Sequence, residues 1–217
     1  MHLIAPALLA LALAVRPALG QQRTAPPPSA KDAMTFELVT NDPDAPPGRQ
    51  ERWVVASGSF VPETGKTFEA FLKTTPIDAS TPIYFDSKGG SILGALRLGE
   101  QLRKINATVS VGRSMPVAGA ARTTAQRSPA LPRHQLIPRL GRCHSACTYA
   151  FLGGVKRTIP AGAAYGVHMF WPSEKLEGLL QRPYDYREIE RAQRLTAQIA
   201  VYIQRMGGDV ALLELAS

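Results

Sequence analysis

The chain has 217 residues, 45% of them hydrophobic, which suits one domain with a real core, and no internal repeat divides it. The net charge is +8, but the most basic stretch, 113–142, contains no aromatic residue for base stacking, which argues against a single-strand nucleic-acid binder. No stretch beyond the N-terminal segment is apolar enough to cross a bilayer, which takes roughly 20 residues.

Leu3 to Val15 is almost unbroken Leu, Ile and Ala, and Ala18-Leu19-Gly20 puts small residues where a signal peptidase reads, ahead of polar Gln21-Gln22. We expect a cleaved secretory signal over 1–20, although Arg16 follows the apolar run instead of preceding it; an uncleaved anchor is the alternative. Cleavage removes one positive charge and delivers a soluble protein to the periplasm or the exterior, where disulfides persist. Residues 21–50, with Pro26-Pro27-Pro28 and a turn-rich 41–48, read as a Pro-rich leader or linker. Two short strands are expected at 35–40 and 52–57. Residues 51–217 form the remaining domain.

Strand and helix alternate from there. A helix is expected over 62–73 with Phe68, Phe71 and Leu72 on its apolar side, then a buried strand over 82–86. Ser91 caps a helix whose Ile92, Ala95, Leu96, Gly99 and Leu102 repeat at three and four. A strand follows at 107–111, then the long basic loop, 112–142, whose arginines Arg113, Arg122, Arg127, Arg133, Arg139 and Arg142 have no acidic residue among them. That loop reads as solvated and flexible. A helix at 145–152, strands near 157–159 and 165–169, and a long helix over 184–206 complete the pattern, the last with Ile189, Ala192, Leu195, Ile199, Ile203 and Met206 on one face. This order predicts an α/β fold with a largely parallel sheet.

Three segments point to chemistry. Asp86-Ser87-Lys88-Gly89-Gly90 joins strand to helix, and its glycines let a ligand approach bare backbone N–H groups. Ser145 opens a helix between Cys143 and Cys147; a serine there is often only a cap, but a nucleophile there has the next N–H, that of Ala146, available to an oxyanion. His168 lies in an apolar strand pattern, where a histidine is either a satisfied core residue or a general base within reach of the nucleophile.

In this order the segments resemble the Clp-protease and crotonase superfamily, which includes signal peptide peptidase A, and within it a periplasmic Clp-like group. The resemblance rests on Ile83-Tyr84-Phe85-Asp86-Ser87-Lys88-Gly89-Gly90-Ser91, on Cys143-His144-Ser145-Ala146-Cys147 leading into Phe151-Leu152-Gly153-Gly154-Val155-Lys156-Arg157, and on Gly166-Val167-His168. It implies a spiral of ββα units, Ser145 as nucleophile, His168 as base, and the N–H groups of Gly90 and Ala146 as oxyanion hole. It also implies a serine peptidase without cofactor, acting on peptide or unfolded protein and assembling as a homo-oligomer. Lys88 departs from the proline usual in the Clp-like turn.

The triad acid of such peptidases comes well after the histidine, with a further helix behind it. Here the sequence stops at Leu-Glu-Leu-Ala-Ser217, so either that acid is missing or the form is truncated. Asp185, Glu188 and Asp209 are possible substitutes, none at a matching position. The alternative function is a catalytically weak or inactive scaffold that keeps the fold for oligomerisation; acyl-CoA chemistry is disfavoured for an exported protein.

The cysteines admit four readings: a Cys143–Cys147 disulfide with Cys143 lying before the first helical turn, two free thiols, a zinc site with His144 and His168, or a cysteine nucleophile. His144 adjoins Ser145 on the expected helix, where neighbours do not face each other, and is a poor base.

Overall fold

The computed structural model describes residues 32–46, 48–117, 131–168 and 185–216. The expected signal, 1–20, and residues 21–31 of the leader lie outside them, as do Arg122 and Arg127.

A five-stranded mixed sheet forms the centre, in the order β1 (Thr35–Thr40), β2 (Arg52–Ser57), β3 (Ile83–Asp86), β4 (Thr108–Val111) and β8 (Lys156–Thr158). Only the β1–β2 pair is antiparallel; β2 to β8 run parallel. Both early strands fall where the sequence puts them. β1, however, falls within the 21–50 leader and pairs with β2 over its whole length, so the folded domain starts before residue 51. Two smaller sheets complete the strands among the described residues: antiparallel β5 (Arg113–Pro116) with β6 (His134–Ile137), and parallel β7 (Arg142–His144) with β9 (Ala164–Gly166).

Side chains alternate across the central sheet with the two-residue period of a strand. Val54, Ala56, Ile83, Phe85, Val109 and Val111 turn toward the helices α1 (Thr64–Thr74), α2 (Ile92–Lys104) and α3 (Ala146–Leu152). There they meet Phe68 of α1, Ala95, Leu98 and Leu102 of α2, and Ala150 and Phe151 of α3. Phe68 and Phe85 are fully buried, and each such side chain is worth about 1.5–3 kcal/mol relative to exposure. On the opposite face Val39, Trp53 and Val55 pack with Tyr84 and with Leu136 of β6. The Trp53 indole N–H donates to Ser114 Oγ of β5 at 3.0 Å. The ends of the expected basic loop thus form an ordered ribbon over the sheet, a correction that follows from long-range pairing such as Arg113 with Ile137.

Ser91 caps α2 as expected, its Oγ accepting from Gly94 N–H at 3.2 Å. The long C-terminal helix α4 (Tyr186–Arg205) is anchored by half its length. Ile199, Tyr202, Ile203 and Met206 are buried against Tyr149, whereas Ile189 and Ala192 of the same expected face are exposed. Tyr202 ties this helix to α3 by donating to the Tyr149 carbonyl at 2.8 Å.

Candidate active site

The site is built where β3 and β7 end side by side. Ser87 is buried and joins the two sheets: its N–H donates to the Arg142 carbonyl at 2.7 Å, and its carbonyl accepts from His144 N–H at 3.1 Å. Its hydroxyl accepts from Gly89 N–H at 3.1 Å, tightening the turn. Gly89 and Gly90 follow at φ 109° and 132°, values only glycine adopts at little cost. On the far side of the turn, the Gly89 carbonyl accepts from Phe60 N–H at 2.9 Å and Ser91 N–H donates to the Phe60 carbonyl at 2.8 Å. Both flanks of the glycine pair are therefore held by backbone bonds.

Ser145 occupies the step from β7 into α3 and has φ 57° and ψ −126°. Among the described residues only Asn106 shares a positive φ without being glycine. For an L-residue this backbone costs roughly 1–3 kcal/mol, held only where surrounding structure over-determines it. Three restraints do so. Ser145 N–H donates to the Gly166 carbonyl of β9 at 2.9 Å, the Ser145 carbonyl accepts from Thr148 N–H at 3.0 Å and Oγ1 at 2.6 Å, and a disulfide joins Cys143 to Cys147. Cys143 lies in β7 and Cys147 in α3, with 5.2 Å between their Cα atoms, so the bridge starts before the first helical turn as the disulfide reading requires. Both sulfurs are committed to it, and the free-thiol, zinc and cysteine-nucleophile readings fall away. α3 itself is buried from Ala146 to Phe151, which fixes the turn against the core.

The hydroxyl of Ser145 makes no capping hydrogen bond. The cap reading of this serine is thereby overturned: the positive φ turns the residue away from the geometry in which a cap side chain reaches back to N2 or N3. The Gly89–Gly90 turn lies directly opposite. A Cβ placed on Gly89 would be 2.7 Å from Ser145 Cβ and 3.2 Å from Ala146 N. Neither Gly90 N–H nor Ala146 N–H has an acceptor among the described residues.

His168 is exposed, two residues beyond the end of β9, so the expected strand over 165–169 is shorter and the histidine stands on a loop. It lines a cavity of about 420 Å³ together with Lys88, Arg142, His144, Gly166 and Val167. Ser145 is not among the lining residues; the cavity lies beside it, walled by its neighbour His144, which belongs to β7 and not to the helix. A larger cavity of about 840 Å³ opens elsewhere, past Trp53, Tyr84, Arg133 and His134, and none of the expected site residues lines it.

The candidate acids are engaged in capping. Asp185 and Glu188 form a reciprocal capping box at the start of α4, and Asp209 accepts from Ala211 N–H at 2.9 Å. Asp86, at the end of β3, meets two guanidiniums. Its Oδ2 accepts from Arg113 Nε at 2.7 Å, and its Oδ1 stands 3.5 Å from Arg142 Nε. The carboxylate beside it holds the Arg113 guanidinium above its ordinary pKa. No local signal could have revealed this pair, since Arg113 is 27 residues from Asp86 and sits in a stretch without periodicity. Behind the serine, Tyr165 of β9 packs on Phe151 with ring centroids 5.3 Å apart, and burial pushes its phenol up to about 12.

Comparison of the chain with protein-family models, with curated proteins and with solved structures found no match.

Proposed function

We propose that this chain is an exported, Clp-like serine hydrolase, a peptidase built on a spiral of ββα units and acting on peptide or unfolded protein in the periplasm or outside the cell. The observation that carries this reading is the backbone of Ser145. A strained strand-to-helix turn exposes a nucleophilic hydroxyl and aims the following N–H groups at the same point. Here φ is 57°, the hydroxyl is released from capping, and the Gly89–Gly90 turn closes on it.

In this mechanism Ser145 Oγ attacks the scissile carbonyl while His168 takes its proton. The oxyanion is held by the N–H groups of Gly90 and Ala146, and loss of one such donor costs about 10²–10³ in turnover. His168 then passes the proton to the departing amine, and water releases the acyl group by the same steps in reverse roles. The chemistry uses no cofactor, and the resemblance adds a homo-oligomeric assembly.

One observation favours the second reading, a weak or inactive scaffold: His168 is exposed, and no carboxylate lines its cavity among the described residues. A fluorophosphonate probe applied to the purified protein separates the two. Labelling that disappears in Ser145→Ala and falls steeply in His168→Ala supports the hydrolase; a wild-type protein that takes up no label supports the scaffold.

A further inference from the structure

The cavity beside Ser145 carries charge of one sign. Lys88 and Arg142 are its cations, His144 and His168 its imidazoles, and no acidic residue lines it among the described residues. Among the described residues, the carboxylate that meets Arg142 is shared. Asp86 accepts its short hydrogen bond from Arg113, and toward Arg142 it offers only a 3.5 Å approach in which both Asp86 Oδ1 and Arg142 Nε are buried without a hydrogen-bond partner. One carboxylate cannot neutralise two guanidiniums, so positive charge remains on the cavity side. Lys88 adds to it: the residue is exposed and forms no ion pair among the described residues.

The cavity is also placed to take part of a substrate. His144 precedes Ser145, and Gly166, another wall residue, accepts the Ser145 N–H at 2.9 Å. The cavity therefore borders the serine turn, next to any carbonyl that Ser145 reaches. A cleft lined by one sign of charge concentrates ligands of the other, and charge-assisted hydrogen bonds to a carboxylate are roughly twice as strong as neutral ones.

We infer that this cavity is a carboxylate subsite, through which the enzyme selects peptides bearing an acidic group beside the scissile bond. The inference rests on the serine-hydrolase reading. The carboxylate has two sources, an Asp or Glu side chain within the peptide or the peptide's own C-terminus. Because Lys88 is exposed, the selection weakens as salt screens it over roughly 10 Å at 0.1 M ionic strength.

Fluorescent heptapeptides identical except for a central Glu, Gln or Lys, each with a free or an amidated C-terminus, test this by anisotropy against the full chain carrying Ser145→Ala. The Glu peptide is expected to bind about tenfold more tightly than the Gln peptide, about 1.4 kcal/mol. Lys88→Gln should reduce that ratio and Lys88→Glu should reverse it, with circular dichroism showing that both variants fold. Discrimination by terminus alone assigns the subsite to a C-terminal carboxylate and still supports it. Equal affinities across all peptides, no binding of any, or a preference untouched by Lys88→Glu and by added salt would overturn it. Anisotropy reads the subsite and fluorophosphonate labelling reads Ser145. Lost labelling with intact charge selection removes the hydrolase alone, and the reverse result removes the subsite alone.

Discussion

Gly89 and Ser145 stand so close that a Cβ on the glycine would come within 2.7 Å of the serine Cβ and 2.9 Å of the His144 carbonyl oxygen. The two turns are 56 residues apart in sequence, yet Gly89 can be no other residue without moving Ser145. Its φ of 109° adds a second penalty, since L side chains rarely adopt that backbone.

Gly89→Ala is accordingly expected to cost about 2–4 kcal/mol, combining backbone strain with overpacking. Urea unfolding measures the stability loss. The same variant should lose Ser145-dependent probe labelling even under conditions where it remains folded, because the displaced atoms are those of the serine turn. Labelling at the wild-type rate would show that the contact does not position Ser145.

The Cys143–Cys147 bridge closes a loop of a few residues, and chain-entropy reasoning gives such a short loop about 2 kcal/mol. Both cysteines are completely buried, so Cys143→Ala with Cys147→Ala removes the crosslink without exposing polar groups. A fall of about 2 kcal/mol in unfolding free energy is expected. The intact mass of the wild-type protein, lower by two hydrogens than that of its reduced form, checks the bridge independently.

Asp86 is mostly buried between two guanidiniums that remain about a third exposed. Asp86→Asn leaves Arg113 and Arg142 facing each other without compensation. Solvent screening keeps the expected cost to about 2 kcal/mol, below the roughly 3–5 of a fully buried pair. A double-mutant cycle with Arg113→Gln by urea unfolding measures the coupling; additive effects would show that the 2.7 Å contact contributes nothing to stability.

Where the sequence was legible, the signal was local. The strands at Thr35–Thr40 and Arg52–Ser57 stand between turn residues, and α2 announces itself through Ser91 and a three-four apolar repeat, so these elements lie at or near their expected bounds. β5, β6 and β7 were illegible because their partners are distant. Arg142–His144 is three residues long and exists through pairing with Ala164–Gly166 and a bridge to Ser87. The same limit explains His168, whose apolar surroundings read as strand although β9 ends at Gly166. For the candidate site, the residue types and the bridging cysteines were visible. The positive φ of Ser145 and the pairing of Asp86 with Arg113 and Arg142 were not, since both are set by contacts from other segments. The helical pattern of α4 was equally clear, but periodicity alone did not reveal that Ile189 and Ala192 would be exposed while Ile199 and Ile203 are buried.

Alkaline pH should loosen the region behind the serine. Burial raises the Tyr165 phenol from 10.0 to about 12, opposed by nearby Arg157 and reinforced by Tyr149. Burial raises Tyr202 still further, with Glu100 adding to it and Arg103 and Arg205 opposing. The folded state thus holds these protons more tightly than the unfolded chain. Their contribution is complete below pH 10.0 and is lost as pH rises through the folded values, for Tyr165 between 10.0 and about 12. That displacement corresponds to on the order of 2–3 kcal/mol for Tyr165 alone. Urea midpoints taken at about pH 8, 10, 11 and 12 should fall across the upper part of this range. Tyr165→Phe keeps the ring against Phe151 and removes the ionisable group, so its midpoint should fall less steeply than that of the wild type. Parallel curves for the two proteins would mean that Tyr165 titrates as it does in the unfolded chain.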